Sequence, residues 1–116
     1  MPPKDKLFLL APDFEDPAYP NTAFYCWHCA LMEGLIASFP YLNEFIDVQR
    51  VSWPKPRQEL VSLLGENHQT PPVLVYATNP PSGVNTRQQN GIHFVDDKDE
   101  LLWALSISYG IPSPHP

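Results

Sequence analysis

Two cysteines, Cys26 and Cys29, are the residues of this chain whose type and spacing most directly suggest chemistry. They are the only cysteines among 116 residues, and they enclose Trp27 and His28. An amphipathic helical stretch follows, so the pair falls at a helix start, where the dipole and free N–H groups favour thiolate over thiol. The i, i+3 spacing on a helical turn brings the two Cα atoms to roughly 5–6 Å, which is within disulfide range. The unit therefore predicts a thiol pair that can ionise and form a disulfide.

The length and net charge of the chain limit the functions in which such a cysteine pair could take part. The chain is long enough for one domain, which we expect to span 1–116. Seven basic and thirteen acidic residues give a formal net charge of −6, which disfavours binding to nucleic acid or to an anionic membrane surface. The apolar run from Leu7 to Ala11 is too short for a signal segment or a membrane span, so we expect a cytoplasmic protein. In a reducing compartment a lone cysteine pair is more often catalytic or metal-binding than a structural disulfide.

Apolar periodicity and helix breakers predict an α/β domain with the element order β-α-β-α-β-β-α. The strands are expected at 7–11, 46–51, 73–76 and 92–95. The helices are expected to run from the cysteine pair to Phe39, over 60–64, and from Asp97 to Gly110. Residues 78–91 are expected to form an exposed loop with a turn at Asn90-Gly91, the core to span about 6–110, and 111–116 to be a frayed tail.

This order, with Cys-x-x-Cys between the first strand and the first helix, resembles the thioredoxin-like fold. Thr70-Pro71-Pro72-Val73-Leu74-Val75 is a second match, since a cis-proline precedes the third core strand in thioredoxins and glutaredoxins. The stretches FYCWHCALMEGLIASFP and FVDDKDELLWAL also resemble a small bacterial thioredoxin-like family known only as a domain of unknown function. The resemblance implies a three-layer fold with a mixed four-stranded sheet and with Pro72 facing the cysteine pair.

The resemblance also implies a thiol–disulfide oxidoreductase with Cys26 as nucleophile and Cys29 as resolving thiol. Trp27 and His28 stand where thioredoxin has Gly-Pro, and a cationic His28 would stabilise the reduced form. Pro72 would present the backbone of Pro71 to a substrate peptide, but Pro71 has no N–H to donate, which predicts weaker or more selective peptide binding. Protein thiols and disulfides are the expected partners, with glutathione as an alternative co-substrate and with no cofactor required.

Two other hypotheses use the same region. The first is metal binding, in which Cys26 and Cys29 would be joined by histidines such as His28, His68 or His93 to complete a tetrahedral zinc site. An iron–sulfur cluster with an external thiol is a variant of this hypothesis. The second is a non-catalytic binding module, whose ligand would lie on an aromatic rim that includes Tyr25. The remaining members of that rim are Phe14, Tyr19, Phe24, Trp27 and Trp53.

Overall fold

A mixed β-sheet forms the centre of the molecule. The computed structural model describes residues 3–116. In chain order the strands are β1 (Asp5–Leu10), β2 (Phe14–Glu15), β3 (Ala23–Phe24), β4 (Ile46–Val51), β5 (Val73–Val75), β6 (Arg87–Gln89) and β7 (Ile92–Val95). The main sheet has the order β4-β1-β5-β7-β6, and β2 and β3 form a separate two-stranded sheet.

The expected α/β class and mixed sheet are confirmed, but the predicted number of four strands is wrong. The fifth strand, β6, lies within the segment 78–91 that was expected to be a loop. Its residues Arg87, Gln88 and Gln89 are all exposed, so the strand has no apolar alternation from which it could be predicted. Asn90 and Gly91 both have positive φ values, 53° and 76°, which suits the tight turn joining β6 to β7.

The pairing of the strands fixes which of their ends meet. Strand β1 pairs with β4 in parallel, with Leu10 opposite Val51. Strand β5 runs antiparallel to both β1 and β7. The expected parallel β-α-β unit and the antiparallel pairing of the last two core strands are therefore both confirmed.

Three α-helices cover the two faces of the sheet: α1 (Trp27–Ser38), α2 (Gln58–Leu64) and α3 (Lys98–Tyr109). Alternate residues of β1 point to opposite faces, because side chains alternate along a strand. Leu7 and Leu9 pack with α1 and α3 on one face, and Phe8 packs with α2 on the other. Helices α1 and α3 have 12 residues each, and no helix among residues 3–116 combines the length and apolar content needed to cross a membrane.

The ends of the helices follow local signals in the sequence. Helix α1 stops at Ser38, just before the 3-10 helix Pro40–Glu44, because a proline disfavours helical geometry in the residue before it. Helix α3 begins after Asp97, whose carboxylate accepts the Glu100 N–H at 3.0 Å, and ends at Gly110 with a φ of 79°. Just beyond this end, Ile111 is buried in the cluster that Leu7 and Leu9 form with α1 and α3.

Candidate functional site

Four chain segments meet at one edge of the sheet. Leu10 and Val51 are the last residues of parallel strands, whereas Val73 is the first residue of β5 and is paired with Phe8 of β1. Leu74 of β5 is paired with Val95, the last residue of β7. The segments that follow β1, β4 and β7 and the one that precedes β5 therefore lie together, and we call this the cysteine edge.

Cys26 occupies the N-cap of α1 at the cysteine edge. Its backbone is extended, with φ −78° and ψ 113°, and its carbonyl accepts the Ala30 N–H at 2.9 Å. Its Sγ accepts the Cys29 N–H at 3.2 Å. A sulfur atom thus takes the place of the side-chain oxygen that usually caps a helix. A thiolate at this position would face the positive end of the helix dipole.

Cys29 lies one turn into α1 and is 2% exposed, whereas Cys26 is only half-buried. Both cysteines are free thiols. Burial raises the pKa of Cys29 from its ordinary value of 9.0 to about 12, and the hydrogen bond with Cys26 acts in the same direction. The Leu10 N–H, which donates to the Cys29 Sγ at 3.4 Å, partly opposes this rise. Cys29 therefore keeps its proton at neutral pH.

The residues next to the cysteine pair in sequence, Tyr25, Trp27 and His28, were predicted to line the site. Tyr25 and Trp27 are 65% and 63% exposed, and the ring centres of Trp27 and His28 are 3.8 Å apart. The Nζ of Lys98, the first residue of α3, lies 5.5 Å from the centre of the Trp27 ring. Trp27 thus forms an open aromatic surface beside the thiols instead of filling the core.

Pro71 and Pro72 are both buried at the start of β5. The peptide bond between them is cis, as the resemblance implied. The pairing of β5 with β1 brings both prolines to the cysteine edge.

A small cleft opens directly onto the two sulfurs. Its volume is about 210 Å³, and apart from the cysteines it is lined by Leu10, Pro12, Tyr25, Ala30 and Glu33. Glu33 forms a two-pronged ion pair with Arg50, with N···O distances of 2.6 and 2.8 Å. Its charge is therefore matched, and the cleft offers mainly apolar contact to a group that approaches Cys26.

The histidines do not gather around the cysteines to form a metal site. His28 packs against Trp27, His68 lies 4.9 Å from the ring centre of Phe94, and His93 is hydrogen-bonded to Thr86 at 3.2 Å. Among residues 3–116, no group of three or more His, Cys, Asp or Glu side chains is arranged to hold a metal ion. The metal hypothesis thus has two sulfur ligands but no third ligand in the described chain.

Two features of the cysteine edge were missed in the sequence. One is the pair of strands β2 and β3, which carries Phe14 onto Trp53 in a stacked contact with ring centres 5.6 Å apart. The other is Arg57, a buried residue at the N-cap of α2. Pro54 and Pro56, which stand before Arg57, are residues that end a strand, but they give no sign that the next cation is buried.

Comparison of the chain with known proteins identifies its family. Comparison with curated proteins and with solved structures gave no match. A family model does match residues 4–113, which is nearly the whole chain. This agrees with the resemblance of its cysteine segment and its last helix to a small family of unknown function. The chain belongs to the family described as "Protein of unknown function (DUF3088)".

Proposed function

We propose that this protein is a thiol–disulfide oxidoreductase built on a thioredoxin-like core. The observation that carries the proposal is the unequal environment of two thiols one helical turn apart. Cys26 is accessible and caps α1, and Cys29 is buried and remains protonated. Thiol–disulfide exchange needs one thiol that attacks the substrate and a second that reacts only with the resulting mixed disulfide. The difference in exposure between Cys26 and Cys29 determines which thiol attacks first.

The thioredoxin-like assignment is supported by the arrangement of the core strands. In the row β4-β1-β5-β7, β1 and β4 are parallel and β5 runs antiparallel to β1 and β7, and β6 adds a fifth strand beside β7. The two prolines before β5 lie at the same edge as the cysteines. Because one fold serves many functions, the activity is argued from the thiols and not from the fold.

The reaction follows from the geometry of the pair. The Cys26 thiolate attacks one sulfur of a substrate disulfide, which releases the first substrate thiol and leaves a mixed disulfide on Cys26. Cys29 then loses its proton and attacks the Cys26 Sγ, which releases the second thiol and forms the Cys26–Cys29 disulfide. The protein is oxidised by two electrons and the substrate disulfide is reduced by two.

The substrate class we propose is a disulfide of glutathione or of a protein, in a cytoplasmic setting that keeps the pair reduced. A long peptide would pair with the segment before β5, where Pro71 lacks an N–H donor. The apolar cleft of about 210 Å³ beside Cys26 suits a small group better than a long strand. We therefore expect glutathione disulfide to react faster than an extended peptide disulfide.

The test is oxidation of the reduced protein by glutathione disulfide and by a peptide disulfide, followed by mass spectrometry and by tryptophan fluorescence. We expect one glutathione disulfide per protein to yield an internal disulfide and two glutathione molecules. Cys29→Ser should stop at a mixed disulfide on Cys26, and Cys26→Ser should reduce the rate to that of the uncatalysed reaction. A short peptide containing Cys-Trp-His-Cys is the matched control for an unstructured pair.

Two outcomes would contradict the proposal. A wild-type protein that reacts no faster than the short peptide would show that the fold does not activate the thiols. Stoichiometric zinc that resists chelators in the same sample would assign the cysteines to a metal site instead. Without either activity, the exposed Tyr25 and Trp27 would leave ligand binding as the remaining function of this surface.

A further inference from the structure

Arg57 is a buried cation whose hydrogen bonds go to neutral groups. The residue as a whole is only 7% exposed. Nε and Nη2 both donate to the Trp53 carbonyl, and Nη1 donates to the Gln69 carbonyl. Its backbone N–H donates to the Gln69 Oε1 at 2.7 Å. The guanidinium is thus held rigidly while two of its five N–H donors are left for another partner.

No carboxylate balances this charge in the described chain. Three ion pairs form among residues 3–116, and they join Arg50 to Glu33, Arg87 to Asp96, and Lys98 to Asp99. The sequence has thirteen acidic residues, yet none of them is paired with Arg57. A buried charge without a counter-charge is costly, so a negative charge from another source is expected beside it.

The thiols of Cys26 and Cys29 lie at the same edge of the sheet as Arg57 and can become negatively charged. Arg57 follows β4 and therefore lies at the cysteine edge. Trp53, whose carbonyl accepts from the guanidinium, stacks on Phe14, and Phe14 is paired with Phe24 two residues before Cys26. Burial lowers the pKa of Arg57, and negative charge on Cys26 or Cys29 acts in the opposite direction. Negative charge on either sulfur would therefore favour the charged guanidinium.

We propose that Arg57 is a positioning residue that supplies the counter-charge for the thiolate at the cysteine edge. This inference rests on the proposed exchange reaction and names the group that regulates it. Negative charge is first on Cys26, when it attacks, and later on Cys29, when it resolves the mixed disulfide. A fixed cation at this edge favours the Cys26 thiolate in the first step and the Cys29 thiolate in the second. Its carbonyl partners keep it in place without neutralising it.

The first experiment measures alkylation of Cys26 by iodoacetamide between pH 5 and 9, in a Cys29→Ser background so that one thiol reacts. Arg57→Met and Arg57→Gln remove the charge and should lower the alkylation rate at pH 7 about tenfold. Arg57→Lys keeps the charge and should restore the rate to within about threefold of the starting protein. Gln69→Leu is the matched control, because it loosens the same loop and leaves the cation present.

Folded Arg57→Met or Arg57→Gln proteins with an unchanged pH profile would overturn the inference, and so would an equal loss of rate in Gln69→Leu. Failure of the exchange reaction itself is recognised separately, as a wild-type protein that alkylates normally but is not oxidised by glutathione disulfide faster than the short peptide.

A second measurement covers the case in which no Arg57 variant folds. In the Cys29→Ser protein, a fixed cation beside the Cys26 thiolate should favour alkylation by the anionic reagent iodoacetate over alkylation by neutral iodoacetamide. The ratio of the two rates should therefore be higher than in the short peptide with its second cysteine changed to serine, and an equal ratio in protein and peptide would overturn the inference without any substitution at Arg57.

Discussion

The two edges of the central sheet differ in how their polar groups are paired. At the edge opposite the cysteines, the Asp5 carboxylate accepts the Tyr109 hydroxyl at 2.6 Å and the Ala77 N–H at 2.7 Å. Beside them, the hydroxyl groups of Tyr76 and Ser108 lie 2.7 Å apart. We call these four side chains, Asp5, Tyr76, Ser108 and Tyr109, the Asp5 edge. Each polar atom named here has a hydrogen-bond partner, either among these four side chains or in the backbone N–H of Ala77.

At the cysteine edge the groups are held in place but not matched in charge. The Cys26 Sγ accepts only an N–H, and Arg57 donates only to carbonyls. A fully matched network rigidifies a structure and has no capacity left for a substrate. We infer from this difference that the Asp5 edge maintains the fold, whereas the cysteine edge is where the proposed thiol exchange would take place. This division can be tested by changing one edge and measuring the other.

The largest effect on stability is expected from Asp5→Ala. The substitution leaves the part-buried Tyr109 hydroxyl without its acceptor, whereas water can bind the exposed Ala77 N–H in place of the carboxylate. The free energy of unfolding should therefore fall by about 2 kcal/mol. Urea unfolding measures this loss. Asp5→Asn is the control and should cost less, because its amide oxygen can still accept one bond. The division between the edges fails if folded Asp5→Ala protein also loses Cys26 alkylation.

At alkaline pH, the contributions of the two edges to stability should begin to be lost at different pH values. In the folded state the pKa of Cys29 is raised by burial from 9.0 to about 12, and that of Tyr109 is raised above its ordinary value of 10.0 by burial and by its bond to Asp5. A raised pKa stabilises the fold fully below the unfolded value and progressively less above it. The free energy of unfolding should therefore fall from about pH 9 upwards, by about 1.4 kcal/mol per pH unit for each proton involved.

Single variants separate the two contributions to this decline. Cys29→Ala should flatten the decline between pH 9 and 10, where Tyr109 does not yet contribute. Tyr109→Phe should leave that range unchanged and make the decline shallower above pH 10, where Cys29 and Tyr76, whose pKa is also raised by burial, account for the remainder. Chemical unfolding at several pH values provides the measurement. If Tyr109→Phe changed the decline between pH 9 and 10, the two edges would not be electrostatically independent.

The features that the sequence predicted correctly are those set by residues close together in the chain. Cys26 and Cys29 are three residues apart, so one helical turn is enough to bring them together. The cap of α3 at Asp97 and its end at Gly110 likewise depend on neighbouring residues. The apolar runs that became β1, β4 and β5 were recognisable because their buried side chains must be apolar.

The missed features depend on main-chain contacts that no pattern of residue types reveals. Strand β6 is held by its main-chain pairing with β7 and by the Asn90-Gly91 turn. Arg57 is buried because carbonyl groups four and twelve residues away surround its guanidinium. No residue type next to Arg57 signals such an arrangement. The cysteine pair was thus predictable, but the cation beside it was visible only once the chain was folded.

The smallest effect is expected where the β2–β3 sheet joins the cysteine edge. Phe14→Leu removes the stacked contact with Trp53 and should lower the free energy of unfolding by about 1 kcal/mol. Since the Trp53 carbonyl holds Arg57, the alkylation rate of Cys26 at pH 7 should also fall, by about two- to threefold. Tyr19→Leu is the matched control, because the Tyr19 ring meets Phe24 edge-on with ring centres 5.9 Å apart and is largely exposed. It should change both measurements little. Equal effects from the two substitutions would mean that the aromatic cluster acts as one cover over the edge, instead of supporting the cation through Trp53.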